Sequence, residues 1–523
     1  MTHDIKKILN PAISKVEKIG QFFSPAAYIN DTNQGIQQLE RLIKEYKIGG
    51  LTFFHSRAST ATNFEGKKTV VKNDHSIDRL SELITHYQSI APYPLLISID
   101  AEWGLAMRVE NTPQYPYAIT LGALPDEEQE LIYEVGKHIG NDLKQIGIHL
   151  NLAPVVDINT NPNNPVIGYR SFGENKEKVI QKALTFYKGQ KDANILGCFK
   201  HFPGHGDTEV DSHIGLPIIS KSKEEMYDQE LYPFIKAIEA GIDSILIGHL
   251  AIPSLTNGKS ISATLSKEII KGILRNELNF EGVVISDALN MHSVSKLYPE
   301  KGALEWKAFD AGNDLLCFAE NVEEGMKTIE KNATSEQIEE SFLRILTLKE
   351  KMFKGQSVKQ NFNLEATRAL NLKLAKGSLT AYKSNKENLN NFKTEGFETI
   401  MIGNVDTCSF IANIEKHIPC HTTNLNMLGH KNILIALFPP SIKPANNFGL
   451  DEEILKKINE ISKSKNISLY LFGNPYVLRT LHTEYIENIT IVYQNFDAFQ
   501  EIASAHFLEQ HTAIGKLPII LKK

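Results

Sequence analysis

EGVVISDALNM, residues 281–291, is a short apolar run that ends abruptly in a carboxylate, Asp287. Glycine precedes the run, and β-branched residues fill it, as in a buried strand. Amphipathic segments of helical length, such as 126–146 and 223–241, lie between most runs of this kind. This alternation predicts parallel strands in an α/β fold. The other runs in the first two-thirds of the chain are 20–24, 49–54, 94–99, 147–153, 194–199, 242–247 and 313–318.

Eight strand–helix units predict an N-terminal (β/α)8 TIM barrel over residues 1–355. A doubly wound open sheet is the alternative, but the even spacing and the lack of a GxGxxG motif after the first strand disfavour it. Helices are expected at 334–353 and 364–384, and we assign 356–390 to a helical linker. A second strand series then predicts a smaller C-terminal α/β sandwich domain over 391–523, with strands at 398–402, 432–437, 467–471 and 488–493.

The composition narrows the class of protein. A net charge of -6 argues against a general nucleic-acid binder, which needs an excess of basic side chains. No apolar run is long enough for a membrane span, and the first twenty residues lack the apolar core of a signal peptide. We therefore expect a cytoplasmic protein, or a periplasmic one if a signal has been removed. The four cysteines lie far apart and predict free thiols.

Charged or imidazole side chains follow six of the eight predicted strands of the barrel. In a TIM barrel the active site lies at the carboxyl ends of the strands. Any single one of these residues could instead cap the next helix. Together they indicate a pocket. They are His55, Arg57, Asp100, Glu102, Asp157, Lys200, His201, His249 and Asp287.

The most polar of these strand ends continues as KHFPGHGDTEVDSH, residues 200–213. His201 and His205 have the spacing of a helical zinc pair, but the Pro-Gly between them does not sustain a helix. A metal site in a loop stays an alternative, although we expect neither a metal nor a cofactor. Asp211 lies two residues before His213, so its carboxylate can orient the imidazole for proton transfer. An inert surface pair is the other alternative.

Asp287 is the second candidate for chemistry. A carboxylate at the end of a barrel strand can attack the anomeric carbon of a sugar and form a covalent glycosyl ester. The proton donor would then be His213, oriented by Asp211, in place of the second carboxylic acid that most retaining glycosidases use.

Four stretches resemble glycoside hydrolase family 3, in its β-N-acetylglucosaminidase branch. They occur in the expected order, and GKLPI at 515–519 fits the second domain of two-domain members. The loop ending in Asp-Ser-His is specific to this branch. The stretches are IDAEWGLAMRV (99–109), IGYRSFG (167–173), KHFPGHGDTEVDSH (200–213) and VVISDALNM (283–291).

The resemblance implies a retaining exo-β-N-acetylglucosaminidase that acts on a small carbohydrate, from chitin or from cell-wall muropeptides, as in cell-wall recycling. Asp287 would be the nucleophile and His213 the general acid/base, with Asp211 as its partner. The residues that would bind the non-reducing N-acetylglucosamine are Lys200 and His201, which would meet its hydroxyls, together with Asp100, Arg108 and Arg170.

Two features leave alternatives open. Leu105 stands where the family more often has arginine, and Trp103 either packs in the core or stacks on a sugar, so the preference for the leaving group is undecided. An imidazole repels phosphate less than a second carboxylate does, which allows an N-acetylglucosaminide phosphorylase. A metal-dependent hydrolase and a non-enzymatic sugar-binding protein are the remaining hypotheses.

Overall fold

The computed structural model describes residues 13–55, 75–210, 215–352, 362–403, 405 and 408–521. The chain divides into two compact units. Unit 1 comprises the described residues within Met1–Gln114, Tyr133–Ile158 and Ala183–Asn363. Unit 2 comprises those within Tyr115–Ile132, Asn159–Lys182 and Leu364–Lys523.

Every strand predicted for the first two-thirds of the chain is confirmed. The run 194–199 is broken at Cys198 into two short strands, and a further short strand that was not predicted, Ala26–Tyr28, follows the run 20–24 after Pro25. Proline has no N–H to donate to a neighbouring strand, which explains why this strand is separate from Phe23–Ser24. The strands are β1 (Phe23–Ser24), β2 (Ala26–Tyr28), β3 (Gly50–Phe54), β4 (Leu96–Ile99), β5 (Leu150–Asn151), β6 (Leu196–Gly197), β7 (Phe199–Phe202), β8 (Ser244–Ile247), β9 (Val283–Ser286) and β10 (Leu316–Cys317).

All pairings among these strands are parallel. One sheet has the order β2-β3-β4-β5-β6, a second has the order β7-β8-β9, and β1 pairs with β10. Isolated parallel bridges join Val155 to Lys200 and Ile285 to Leu315. An α/β fold with parallel sheets is thus confirmed. Because parallel neighbours end at the same edge, the polar residues that follow them are brought close together.

Helices separate the strands as the amphipathic pattern predicts. The segment 126–146 is a helix from Gln129, preceded by a 3₁₀ turn, Asp126–Glu128. A π-helix occupies Glu268–Glu277. Apart from the irregular turn Ala445–Phe448, the α-helices in the described part of the chain are α1 (Lys15–Gly20), α2 (Asn33–Tyr46), α3 (Ser76–Ile90), α4 (Ala118–Gly122), α5 (Gln129–Gln145), α6 (Lys176–Asp192), α7 (Lys223–Asp228), α8 (Tyr232–Glu239), α9 (His292–Ser295), α10 (Ala303–Ala311), α11 (Val322–Asn332), α12 (Ser335–Met352), α13 (Leu364–Ser378), α14 (Lys386–Thr394), α15 (Ser409–Glu415), α16 (Glu452–Ile461) and α17 (Asp497–Phe507).

The segment 223–241, expected as one helix, forms α7 and α8 instead. Pro233 lies in the first turn of α8. Proline cannot donate to the carbonyl four residues earlier, but it is well suited to a helix start, so the chain breaks and begins a new helix here.

Unit 2 contains a six-stranded sheet in the order β11-β16-β15-β14-β12-β13. All its pairings are parallel except that of the edge strand β11 with β16. The four strands predicted for this region are confirmed, and β11 and β13 are additional. The strands are β11 (Thr380–Lys383), β12 (Glu398–Gly403), β13 (His421–Thr423), β14 (Asn432–Phe438), β15 (Asn466–Leu471) and β16 (Asn488–Ile491).

Helices cover both faces of this sheet, which explains why all seven residues of β14 are buried. On one face, Ile433 and Leu469 share an apolar cluster with Leu455 of α16. On the other face, the Tyr470 ring lies 4.7 Å from the Phe410 ring of α15 and 6.1 Å from the Phe507 ring of α17, measured between centroids. The cluster also includes Ile119 and Ala123, in and beside α4.

The helix expected at 364–384 is too long. It ends at Ser378, and the next residues form β11. Thr380 and Tyr382 favour an extended chain, and Thr380 pairs with Ile491 of β16. The sheet therefore takes in residues from the segment assigned to the linker. The domain boundaries at 355 and 390 stay a prediction.

Lys349 of α12 is the most deeply buried cation of unit 1, among the described residues, with 1% of its surface exposed. Its Nζ donates to Gln21 Oε1 and to the Pro94 carbonyl, both at 2.8 Å. These residues precede β1 and β4, so the bonds tie α12 to the amino ends of the strands. Burial lowers the pKa of Lys349 from 10.5 to about 7.

Lys349 makes the stability of unit 1 depend on pH. Between pH 7 and 10.5 the unfolded state binds more protons at this group than the folded state, so stability rises with pH. We expect the change from pH 7 to 9.5 to stabilise the wild type by about 3 kcal/mol relative to Lys349→Met. Thermal denaturation of both proteins at several pH values measures this. The exposed Lys188 provides the control Lys188→Met, and parallel pH profiles for wild type and Lys349→Met would contradict the expectation.

Candidate active site

The Lys200 ammonium is the centre of a buried ionic cluster in unit 1. Lys200 lies on β7 and is 2% exposed. Its Nζ lies 2.7 Å from Asp100 Oδ1 and 2.8 Å from Glu102 Oε1. Asp100 directly follows β4, so the carboxyl end of that strand delivers the first of these carboxylates. A buried ammonium is costly unless it is paired, and here two carboxylates pair with it.

Arg108 extends the cluster. It follows a 3₁₀ turn, Leu105–Met107, and its Nη2 lies 3.1 Å from Asp100 Oδ2. The guanidinium also stacks on the Phe54 ring, 3.9 Å from the ring centroid. Burial raises the pKa of Asp100, but the charges of Lys200 and Arg108 outweigh it and hold this pKa well below its usual range. The side chain is therefore a fixed carboxylate between two cations.

His201 is oriented by a carboxylate that the sequence analysis placed at a strand end without a role. Its Nδ1 lies 2.7 Å from Asp157 Oδ2. The His201 and His205 rings meet edge to face, with centroids 5.7 Å apart. The Nδ1 of His205 lies 2.7 Å from Thr208 Oγ1. His201 and His205, which have the spacing of a helical zinc pair, thus bond to different partners.

The loop after β7 is anchored at its base. Gly206 approaches the Ile158 carbonyl so closely that a Cβ atom would lie 1.7 Å from the oxygen, which only glycine permits. Lys221 Nζ lies 3.0 Å from Asp207 Oδ2 and 2.5 Å from Glu230 Oε1. Asp211 and His213, the predicted acid/base pair, lie outside the described residues.

Asp287 directly follows β9. Its N–H donates to the Ile247 carbonyl at 3.0 Å, and its Oδ1 accepts the Ala288 N–H at 2.8 Å. His249 Nε2 donates to the Ala288 carbonyl at 3.0 Å, and its Nδ1 lies 2.8 Å from Thr264 Oγ1. A buried imidazole thus holds the turn that carries Asp287.

Two buried thiols lie near Asp287 and the Lys200 cluster. All the described cysteines are free, as predicted, and Cys198 and Cys317 are buried. Burial raises the pKa of the Cys317 thiol, and the charges of Asp100 and Asp287 raise it further. The same two carboxylates act on Cys198, after the larger effect of its burial. The Cys317 N–H donates to Ser286 Oγ at 2.9 Å, directly before Asp287, and Cys198 directly precedes β7, the strand that bears Lys200.

Arg170 lies in unit 2, in a 3₁₀ turn, Gly168–Arg170, and its Nη1 donates to the Val166 carbonyl at 3.2 Å. The other four predicted sugar-binding residues lie in unit 1, as does Asp287.

Glu110 was not predicted from the sequence as a candidate site residue. Its Oε1 lies 2.6 Å from Nε2 of His55, which follows β3. No motif marks this carboxylate, since its partner lies 55 positions away.

Neither a metal cluster nor a membrane helix is found in the ranges that the structure describes. No three His, Cys, Asp or Glu side chains there gather so that they could hold a metal ion. No described helix is both long and apolar enough to cross a membrane.

Comparison with known proteins relates this geometry to a family. Residues 15–348 match the model of the glycosyl hydrolase family 3 N terminal domain. Beta-hexosaminidase A of Pseudoalteromonas piscicida is 33% identical over 343 residues, which are 60% of this chain and 55% of that protein. This match thus spans about half of the relative's length. A beta-hexosaminidase of Neisseria meningitidis serogroup C (strain 053442) is 32% identical over 47% of this chain and 68% of its own length.

Solved structures agree. A glycoside hydrolase family 3 beta-N-acetylglucosaminidase from Paenibacillus sp. str. FPU-7 has a TM-score of 0.77 and 25% identity, covering 98% of this chain and 99% of that chain. A beta-glucoside phosphorylase has a TM-score of 0.79 at 19% identity, covering 99% and 96%, and shows the fold alone. The chain belongs to glycosyl hydrolase family 3.

Proposed function

We propose that the protein is a retaining exo-β-N-acetylglucosaminidase in which Asp287 is the nucleophile. The observation that carries the proposal is the position of Asp287 at the carboxyl end of β9, in the same parallel sheet as β7, which bears Lys200. Its carboxylate attacks the anomeric carbon, the bond to the leaving group breaks, and a glycosyl ester forms. Water then releases the sugar with the original anomeric configuration.

The Lys200 cluster supports binding of the sugar at this site. Its charges are held by their mutual bonds before a ligand arrives, so little reorganisation is needed when hydroxyls replace water. Lys200, His201, Asp100 and Arg108 are the residues that we propose for the non-reducing N-acetylglucosamine. The sugar-binding role of Arg170 stays a prediction from the sequence.

The proton donor that we propose is His213, with Asp211 as its partner. Cleavage of a glycoside requires a proton on the leaving oxygen, and in the second step the same group takes a proton from the water that attacks the glycosyl ester. A carboxylate that accepts the Nδ1–H of an imidazole would leave Nε2 to carry out both transfers near neutral pH.

A closed barrel is the arrangement that we propose for unit 1. Backbone bonds continue between the sheets: Leu315 N–H donates to Val284, Leu316 N–H to Phe22, and Val156 N–H to Lys200. Side chains of different sheets also meet. Thr52 Oγ1 of β3 lies 2.9 Å from Ser24 Oγ of β1 and 3.6 Å from Cys317 Sγ of β10. Both observations support strands that close on themselves.

The names of the relatives support the proposed substrate class. Two are named beta-hexosaminidase, and a solved structure is named a beta-N-acetylglucosaminidase. We propose a terminal N-acetylglucosamine on a chitin fragment or a muropeptide sugar. A cytoplasmic location and a role in cell-wall recycling stay predictions.

Turnover of p-nitrophenyl β-N-acetylglucosaminide tests the catalytic pair. We expect Asp287→Asn to reduce kcat by at least about 10³-fold, because the amide cannot form the glycosyl ester. His213→Ala should slow an alkyl β-N-acetylglucosaminide about 10²–10⁴-fold, and the p-nitrophenyl glycoside much less, because the phenolate leaves without protonation.

The control is Lys188→Met at an exposed ion pair, which should keep wild-type activity. Loss of wild-type activity in EDTA, or full activity of Asp287→Asn, would contradict the proposal. Equal effects of His213→Ala on both glycosides would contradict the role of His213 as the general acid.

Adding phosphate separates hydrolysis from phosphorolysis. We expect free N-acetylglucosamine as the product at all phosphate concentrations, because Lys200 and Arg108 are already paired with Asp100 and Glu102 and therefore offer an anionic acceptor no uncompensated positive charge. The product is identified by NMR spectroscopy. N-acetylglucosamine 1-phosphate as the main product would instead establish the phosphorylase.

A further inference from the structure

Asp157 accepts hydrogen bonds from two histidines at the same time, His201 of β7 and His205 of the loop that follows it. Its Oδ2 lies 2.7 Å from His201 Nδ1, and its Oδ1 accepts the His205 N–H at 2.7 Å. Both oxygens lie 3.2 Å from the His201 backbone nitrogen. The residue is 1% exposed. One buried carboxylate thus contacts a sugar-binding candidate and the first turn of the histidine-rich loop.

The bond fixes the chemical form of the His201 ring. A carboxylate only accepts hydrogen bonds, so the proton between it and the imidazole must lie on Nδ1. In the neutral ring the lone pair is then on Nε2, the nitrogen suited to accept a bond from a hydroxyl. Burial raises the pKa of Asp157, but the interactions with His201 and His205 lower it by a larger amount. The pKa of Asp157 therefore lies below its usual value.

We infer that Asp157 is a positioning residue for the reaction. It fixes His201 in the Nδ1–H form for a substrate hydroxyl, and through the His205 N–H it holds the base of the loop whose sequence continues to Asp211 and His213. The kinetic part of this inference rests on the proposed glycosidase function, whereas the form of the His201 ring does not.

Hydrogen bonds within the loop also hold its base. The effect of Asp157 on the loop can therefore be separated from its effect on the His201 ring. The Gly204 N–H donates to the His201 carbonyl at 2.7 Å, closing a turn. Thr208 Oγ1 donates to the His205 carbonyl at 3.1 Å and lies 2.7 Å from His205 Nδ1. Replacing Thr208 therefore disturbs the loop base without touching the bond between Asp157 and His201.

The wild-type protein provides the first test. ¹⁵N NMR of histidine-labelled protein, with His201→Gln to identify the signal, reports which ring nitrogen carries the proton. We expect the Nδ1–H form for His201 at pH 8. The Nε2–H form in the wild type would overturn the inference, whether or not any variant folds and whatever the enzyme hydrolyses.

Asp157→Asn is the second test. Asparagine keeps the shape but has one acceptor oxygen, so its amide N–H must face either the His205 N–H or the His201 ring. We expect loss of the pure Nδ1–H form, a raised KM, a lowered kcat, and a fall of about a hundredfold in kcat/KM for the p-nitrophenyl glycoside. Thr208→Val should lower kcat with KM and the His201 signal unchanged.

Asp243→Asn is the matched control. Asp243 is a buried carboxylate of the same unit, 5% exposed, and its Oδ2 accepts the Tyr187 hydroxyl at 2.8 Å, at the amino end of β8. It should reduce thermal stability and leave kcat/KM within twofold. A folded Asp157→Asn protein with wild-type kinetics, or an equal loss in Asp243→Asn, would make Asp157 merely structural. An inactive wild type with the expected NMR signal would reject the proposed function alone.

Discussion

Neutralisation of the Lys200 ammonium is the constraint on which the candidate site depends. An ammonium with 2% of its surface exposed requires compensating charge, and Asp100 and Glu102 provide it. Those carboxylates must in turn lie at the carboxyl end of β4, within reach of Lys200 on β7. Arg108 balances the excess negative charge. The strand register and the charges are therefore not independent, since a shift of either strand would leave a buried ion unpaired.

Short-range patterns were sufficient to predict most of the fold. Apolar runs bounded by glycine and by polar residues identified every strand near the candidate site, because burial and the next turn are both encoded locally. Errors arose where the pattern was ambiguous. The segment 223–241 is amphipathic throughout, but Pro233 starts a second helix within it. β11 has two exposed residues out of four, so it lacks the apolar run that marks an inner strand.

Asp100, Lys200 and Asp287 were identifiable because they lie at or directly after the predicted strand ends, but their partners were not. Lys200 and Asp100 lie 100 positions apart, and no local rule relates them. Asp157 and Glu102 were recognised as residues at strand ends without any role, since a carboxylate looks the same whether it caps a helix or pairs with an imidazole. Glu110 has no sequence signal at all. Such pairings become visible only when the parallel strands are aligned.

Unit 2 joins segments that the ribosome makes far apart in time. Glu174 accepts the Tyr476 hydroxyl at 2.6 Å and the backbone N–H of Ile520, 346 positions later, at 3.0 Å. A Cβ on Gly173 would lie 2.4 Å from the Pro518 carbonyl. The segment 159–182 therefore emerges long before the chain that it packs against. The hydrogen bonds of Glu174 to Tyr476 and Ile520 can therefore form only after residue 520 has been synthesised, so this part of unit 2 cannot fold in the order in which the chain is made.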